Sequence, residues 1–518
     1  MASVATPVLL APPTDGVRPD LDPTEVPLDA LRDAENWMRR AGKFRVRPGF
    51  TAWATNPAQR PTGLIQYVAH DLGLRTVLGT VSGWWRYNAA TDAWVDITQP
   101  ANALTASVTQ LQVFRTFSKA GATWLLGVNG KDAPKKWDST AATYVNIAGS
   151  PPIARCMMVV ADRVILGNLT SGATLSPVAI DVSALSDFDS GWGTVLVKVL
   201  GEITGEIVAM QELGHLQGAI YASEAIAIAT AQEGSVPFRF EFRPGIKGPV
   251  TAKAVAALSE GLHAYLAGDS AVYAFDGTTP RSLGLAIQRQ IANTITTDRL
   301  GRAWVAWDAE HQQLWVVYVP IGGAEPSRGV VIQFPGLACY PVRWTTLTPT
   351  CGAKIANPMG SLTIGQLQVP IGELTRTLGE LDVSVPRFVI GHSGGQTYQD
   401  SGLSDAGASI PSFFEPGLHD LGRRGAFKTV QEVDHFFQTS GGSQIVRPRL
   451  GTSDYGEDRV LEADPAGTEN ELNLANGGPY RTGHRLTGRL FTMRVEAEAS
   501  QSVEWKGSEV TFAMRGLR

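Results

Sequence analysis

Apolar and polar residues along this chain change places in short runs of about four to eight, broken by clusters of Gly, Asn, Asp, Ser and Thr. That rhythm predicts strands and tight turns between about residues 60 and 402. One phrase occurs twice, fifty residues apart: Tyr87-Asn-Ala-Ala-Thr-Asp-Ala-Trp-Val-Asp-Ile97 and Trp137-Asp-Ser-Thr-Ala-Ala-Thr-Tyr-Val-Asn-Ile147. Each reads as a β-hairpin, with aromatic and β-branched arms around a small polar turn. A third hairpin is expected at Gly268–Gly277, where Asp276-Gly277 is a turn signal. Others are expected at Ala303–Asp308 with Gln313–Val319, and at Arg387–Tyr398. A hairpin recurring at about 50 residues suits the blades of a β-propeller, and about six or seven such units can be counted.

Beyond residue 402 the pattern changes. Phe491, Met493, Val495, Ala497 and Ala499 alternate with polar neighbours, as do Val510, Phe512 and Met514. Period-two alternation marks a sheet with one buried face, so residues 403–518 are expected to form a separate β-sandwich. The expected organisation is therefore all-β: a flexible or extended arm (1–27), a leading segment (28–59), a propeller (60–402) and a sandwich (403–518). The arm assignment rests on six prolines and few large side chains. The leading segment is expected to pack on the propeller or on a neighbouring protein.

Composition narrows the function. At 518 residues with 55 Gly and 31 Pro, the chain suits many short strands rather than one helical core. Its net charge of -5 gives no general attraction for nucleic acid. Cys156, Cys339 and Cys351 are too few and too scattered for a disulfide framework or a zinc site, and read as buried thiols. The N-terminus has no basic, apolar leader. The richest apolar run, Ala219 to Ala231, is interrupted by Glu224 and falls short of a membrane span, so a soluble protein is expected.

Three passages invite chemistry. Gly391-His-Ser-Gly-Gly395 fits a nucleophile elbow, but strand and turn residues follow Ser393 where a helix is required. The passage echoes Gly268–Tyr273, so it reads as a turn. Asp187-Phe-Asp-Ser-Gly191 hints at a calcium loop, but Trp192 and Lys198 stand where Gly and Glu are needed. Exposed tryptophans such as Trp84 and Trp85 could stack on sugars, although such residues commonly pack between sheets. No catalytic, metal or cofactor site is therefore assigned. Arg39, Arg40, Lys43, Arg45 and Arg47 form the densest basic cluster and are candidates for contact with another subunit or an adaptor. The alternative for them is a solvated helix end and strand face.

The order of phrases resembles the nozzle (tail tubular protein B-like) family of short-tailed bacteriophages. The segment Leu31-Arg-Asp-Ala-Glu-Asn36 through Gly42 to Arg47-Pro48-Gly49 is similar to that family's opening. Arg163-Val-Ile-Leu-Gly-Asn168 with Pro177 and Ser183–Asp187 is similar to its middle, and Ile203–Ala209 and Ala271–Gly277 to its propeller phrases. The proline-rich arm and the run Pro358 to Val385 depart from it. The resemblance implies a non-enzymatic virion protein, made in the host cytoplasm, that forms a homo-oligomeric ring of about six heterologous contacts. It implies as partners a tail adaptor, tail fibres and the host envelope, and double-stranded DNA passing through without sequence recognition. A mildly acidic conduit would let the duplex slide, since phosphate contacts would hold it back. The rival readings are a propeller that binds or cleaves glycans, which pocketed acids ringed by Trp would favour, and a kelch-like adaptor.

Overall fold

The two copies of the repeated phrase are hairpins with matching registers. Tyr87 stands opposite Trp94, and Lys136 opposite Val145. The computed structural model of the chain describes residues 7–89, 91–172, 174–234, 236–356, 386–421, 426–439, 444–453, 460–461, 472–474, 478–484, 486–499 and 503–514. Among them the molecule is all-β, with one α-helix at Leu285–Ala292. The run from Pro358 to Val385 lies outside the described residues.

Each repeated hairpin forms the third and fourth strands of a four-stranded antiparallel sheet. Seven such sheets occur among the described residues. Sheets 1 to 6 cover residues 61–96, 113–146, 153–199, 207–244, 255–282 and 304–343. Sheet 7 takes Pro349–Ile355, Arg387–His392 and Thr397–Gly402 from one end of the series and its fourth strand, Gly49–Trp53, from before sheet 1. The first strands of successive sheets pack side by side, and that of sheet 7 packs beside that of sheet 1.

The sequence explains the local geometry. The third strand ends in an aromatic-Asx pair whose acid turns the chain: Asp138 Oδ1 accepts the Thr140 N–H at 2.9 Å, and Asp276 Oδ1 the Thr278 N–H at 2.9 Å. Asp276-Gly277 thus opens the turn toward Arg281–Ser282. The turn at 267–271 joins the two preceding strands, so the expected single hairpin at 268–277 is two successive turns. Second strands are covered on both faces; all six residues of Gln313–Tyr318 are buried. Close approach is possible because small residues face large ones. A Cβ on Gly127 of sheet 2 would lie 2.3 Å from Cζ2 of Trp84 in sheet 1. Trp84 itself packs at 5.1 Å on Phe114 and 4.7 Å on Tyr144, with no exposed surface. Of the aromatics in the repeated phrase, Trp94, Trp137 and Tyr144 are buried and fill the space between sheets.

Two larger sheets stand apart from the series, and each mixes chain ends. One orders Trp37–Arg40, Lys43–Val46, Val503–Met514, Lys428–Thr439 and Gly478–Gly483, with Val8–Leu10 also on Val503–Met514. The other orders Leu31–Glu35, Ile410–Pro416, Leu490–Ala499 and Ile445–Ser453. Phe491, Met493, Val495 and Ala497 are buried as their alternation predicts, and so are Val510 and Phe512. Residues 403–518 do not complete these sheets alone. Residues 8–46 supply strands, and one apolar core runs from Trp37, Phe414 and Trp505 into Trp304, Trp315 and Phe388 of sheets 6 and 7. The expectation of a separate terminal unit misses this because strand pairing across 400 or so residues leaves no local pattern.

Residues 7–27 are extended but pinned. Val8–Leu10 pairs with Val510–Ser508, Gly16 bridges Cys339, and Val17 and Val26 are buried. For Arg39 and Arg40 the alternative of a helix end is corrected: both lie in the strand Trp37–Arg40.

Candidate functional site

The basic cluster turns largely inward. Arg47 leaves the hairpin Trp37–Val46 just before the fourth strand of sheet 7, and its guanidinium is fully buried. Nη1 donates to Asp405 Oδ1 at 2.9 Å and Nη2 to Asp405 Oδ2, a bidentate pair. Nε donates to Asn36 Oδ1 at 2.9 Å and Nη2 to the Arg343 carbonyl at 3.0 Å. Asn36 takes a left-handed φ of 63°, which Asn tolerates, and its Nδ2 donates to the Pro411 carbonyl at 2.8 Å. Arg40 is also buried and donates to Asp400 Oδ2 at 2.7 Å, while Asp400 Oδ1 accepts the Phe388 N–H at 2.9 Å. As candidates for contact with another molecule, Arg40 and Arg47 are therefore corrected: two buried guanidiniums need carboxylates, and this chain supplies them. Arg45 is half-buried opposite Glu504, and desolvation, then the Arg40 charge, lowers its pKa. Lys43 is exposed and reaches Glu504 at 3.3 Å. Arg39 is half-buried, and its carbonyl accepts from Gln313 Nε2 at 3.1 Å.

The three chemical passages resolve as internal bonding. The Ser393 hydroxyl bonds the Thr348 hydroxyl, not an imidazole, and its N–H donates to the Thr348 carbonyl at 3.1 Å. His392 Nδ1 accepts the Thr348 N–H at 3.0 Å, and burial lowers its pKa. Asp187 and Asp189 hold ammonium groups: Lys119 Nζ contacts Asp187 and lies 2.9 Å from Asp189 Oδ2, and Lys136 Nζ lies 2.6 Å from Asp189 Oδ1. Trp84 is buried and so is not offered to a sugar face, and Trp85 is half-buried.

A further acidic group, Asp308, Glu310 and His311, has ligand atoms within 4.8 Å of one another. Lys354 occupies it, with Nζ 3.0 Å from Asp308 Oδ1 and 2.7 Å from Glu310 Oε2. Burial pushes the Asp308 carboxyl up, but the His311 hydrogen bond and the Lys354 charge outweigh it and bring it to about 2. The cluster is a salt-bridge network next to Arg40, whose Nη2 lies 3.2 Å from His311 Nδ1.

Charges also meet where the first strands of several sheets converge. Arg115 of sheet 2 donates to Glu212 Oε1 of sheet 4 at 2.9 Å and to the Met210 carbonyl at 2.7 Å, while Val159 of sheet 3 donates its N–H to the same Glu212 oxygen at 2.8 Å. A cavity of about 300 Å³ opens at the starts of these first strands, lined by residues leading into sheets 2 to 6, among them Gln110, Arg155, Glu206, Thr251 and Gly301. Its one carboxylate, Glu206, is bound by Arg155 at 2.8 Å and Asn168 Nδ2 at 3.2 Å. Lys253 lies in the same region, and desolvation lowers its pKa to about 8 against the raising influence of Cys351. Tryptophan is absent from the lining.

No protein-family model matches the chain, and no curated protein is significantly similar to it. The arrangement is one of charged side chains paired across sheet junctions. Asp400, Asp405, Glu212 and Glu325 are residues that sequence reasoning passed over. Each partners a cation 97 to 360 positions away, or 23 positions away in the case of Arg302 with Glu325. No spacing rule addresses such separations.

Proposed function

We propose that the seven sheets are the blades of a β-propeller and the two larger sheets a sandwich, joined in one structural subunit of the nozzle ring of a short-tailed phage. Gly49–Trp53 supplies the outer strand of sheet 7, so the last blade is completed from before the first, a closure that ties the ends of a propeller together. In this reading the protein is a non-enzymatic virion component. Copies of it contact one another and a tail adaptor, with fibres and the host envelope nearby, and duplex DNA passes through the assembly.

The observation that carries the reading is the junction at Arg47. There the leading hairpin, sheet 6, sheet 7 and the terminal module meet through buried ionic and aromatic contacts. A subunit that must hold shape while DNA passes gains from such welding; a reversible binder of small ligands needs none of it. The net charge of -5 agrees, because a mildly acidic wall does not retain the duplex.

Negative-stain imaging of the purified chain tests the reading. Closed rings of about six subunits are expected. A dispersed monomer that binds glycans on an array would replace this reading with the carbohydrate-binding rival.

A further inference from the structure

A second cavity, about 730 Å³, is a groove at the end of the outer strand of sheet 6, Ala338–Arg343, and nothing above gives it a role. Two carboxylates flank it, and each is shared by two guanidiniums. Glu35 is approached by Arg328 Nη2 at 3.1 Å and Arg343 Nη1 at 3.7 Å. Glu325 is approached by Arg60 at 2.6 Å and Arg302 at 2.7 Å. Each Arg–Glu–Arg set keeps one positive charge after internal pairing, so the groove is locally basic on a chain of net charge -5. The Arg343 side chain is 49 % exposed and Thr345 beside it is exposed, so donors face solvent, whereas the Thr346 hydroxyl donates to the Asp405 carbonyl at 3.2 Å.

The opposite end of the same strand is acidic. Cys339 there bridges Gly16, and the segment that follows carries Asp22, Glu25 and Asp29, all exposed. Asp22 caps the Thr24 N–H at 3.0 Å and Asp29 accepts the Thr14 hydroxyl at 3.3 Å. Both bonds are to neutral donors, and the one cation acting on Asp22 is Arg32, so the three carboxylates leave the stretch net negative. A strand of six residues spans roughly 20 Å, so the basic groove and the start of the acidic stretch lie at its opposite ends. Unlike charges at opposite ends of one edge are the pattern of a head-to-tail contact between identical subunits.

We propose that the groove receives the acidic stretch Asp22–Asp29 of a second copy of this chain, through carboxylate–guanidinium bonds. The inference rests on the ring reading and names the residues that would join its subunits. Guanidinium forks and the Thr345 hydroxyl suit carboxylates of a folded loop.

Charge reversal tests it, with assembly of the full chain read by analytical ultracentrifugation at two salt concentrations. Arg343→Glu alone, and Asp22→Lys with Glu25→Lys and Asp29→Lys, are each expected to weaken association by about tenfold or more. Combining the two sets is expected to restore it, and restoration also shows that neither variant merely misfolds. Rings formed by Arg343→Glu as readily as by the native chain would overturn the inference and leave the ring reading standing. A native chain that stays monomeric would remove both. Binding of a short DNA duplex that Arg343→Glu abolishes, with ring formation unchanged, would assign the groove to phosphates and overturn the inference.

Discussion

Arg47 and Asp405, 358 positions apart, form a buried bidentate ion pair that fastens the leading hairpin to the end of sheet 7. Removing one partner leaves the other charge buried without compensation. Asp405→Ala is expected to cost about 3–5 kcal/mol of stability, measured by denaturant unfolding. Arg47→Lys is expected to recover little, because an ammonium cannot serve Asp405, Asn36 and the Arg343 carbonyl from one plane. Native-like stability of Asp405→Ala would show that the junction is not what holds these parts together.

His435 gives the terminal module a pH limit. Its Nδ1 lies 2.9 Å from the Ser508 hydroxyl and its Nε2 2.9 Å from that of Thr482, with the ring fully buried. Burial, reinforced by the nearby His484, lowers its pKa from 6.5 to about 3. The fold accepts the neutral ring only. Its contribution is therefore complete above pH 6.5 and is lost progressively as pH falls toward about 3. Stability should drop by up to about 1.4 kcal/mol per pH unit in that window. An NMR titration placing the His435 pKa near 6.5 in the folded chain would contradict this.

Gly127 sets how closely sheet 2 approaches sheet 1. Its missing Cβ would meet Trp84 Cζ2 at 2.3 Å and Gln112 Nε2 at 2.7 Å. Gly127→Ala is expected to destabilise by about 1–3 kcal/mol in thermal or denaturant melts, since a buried indole cannot move aside freely. An unchanged melt would mean that the two sheets are less closely interlocked.

Lys119 holds the carboxylates that resemble a calcium loop. The Asp187 carboxyl is lowered to about 2, first by the Lys119 hydrogen bond. Lys119→Met should raise it toward 3.8, followed by carbon-detected NMR titration of the side chain. A value still near 2 would mean that Ser190 and the Asp189 N–H suffice.

The strands were legible where chemistry is local. Aromatic-Asx turns at Asp138 and Asp276, and alternation from Phe491 to Ala497, point to elements that form as read. The turn at Ser393 was also readable, because no helix-forming run follows it. What stayed hidden is pairing over distance. Nothing beside Arg47 names Asp405, and nothing beside Leu31 names Pro416 as its strand partner. The basic cluster misled for the same reason: charge is visible in sequence, whereas its burial depends on who arrives to neutralise it. The pinning of the arm is hidden too, since Val17 and Val26 are buried without any periodic pattern.

Native mass spectrometry of the full chain at rising concentration tests the central claim most directly. The account predicts a single closed species of about six subunits with no open-ended series beyond it. A chain that remains monomeric at every concentration would contradict it.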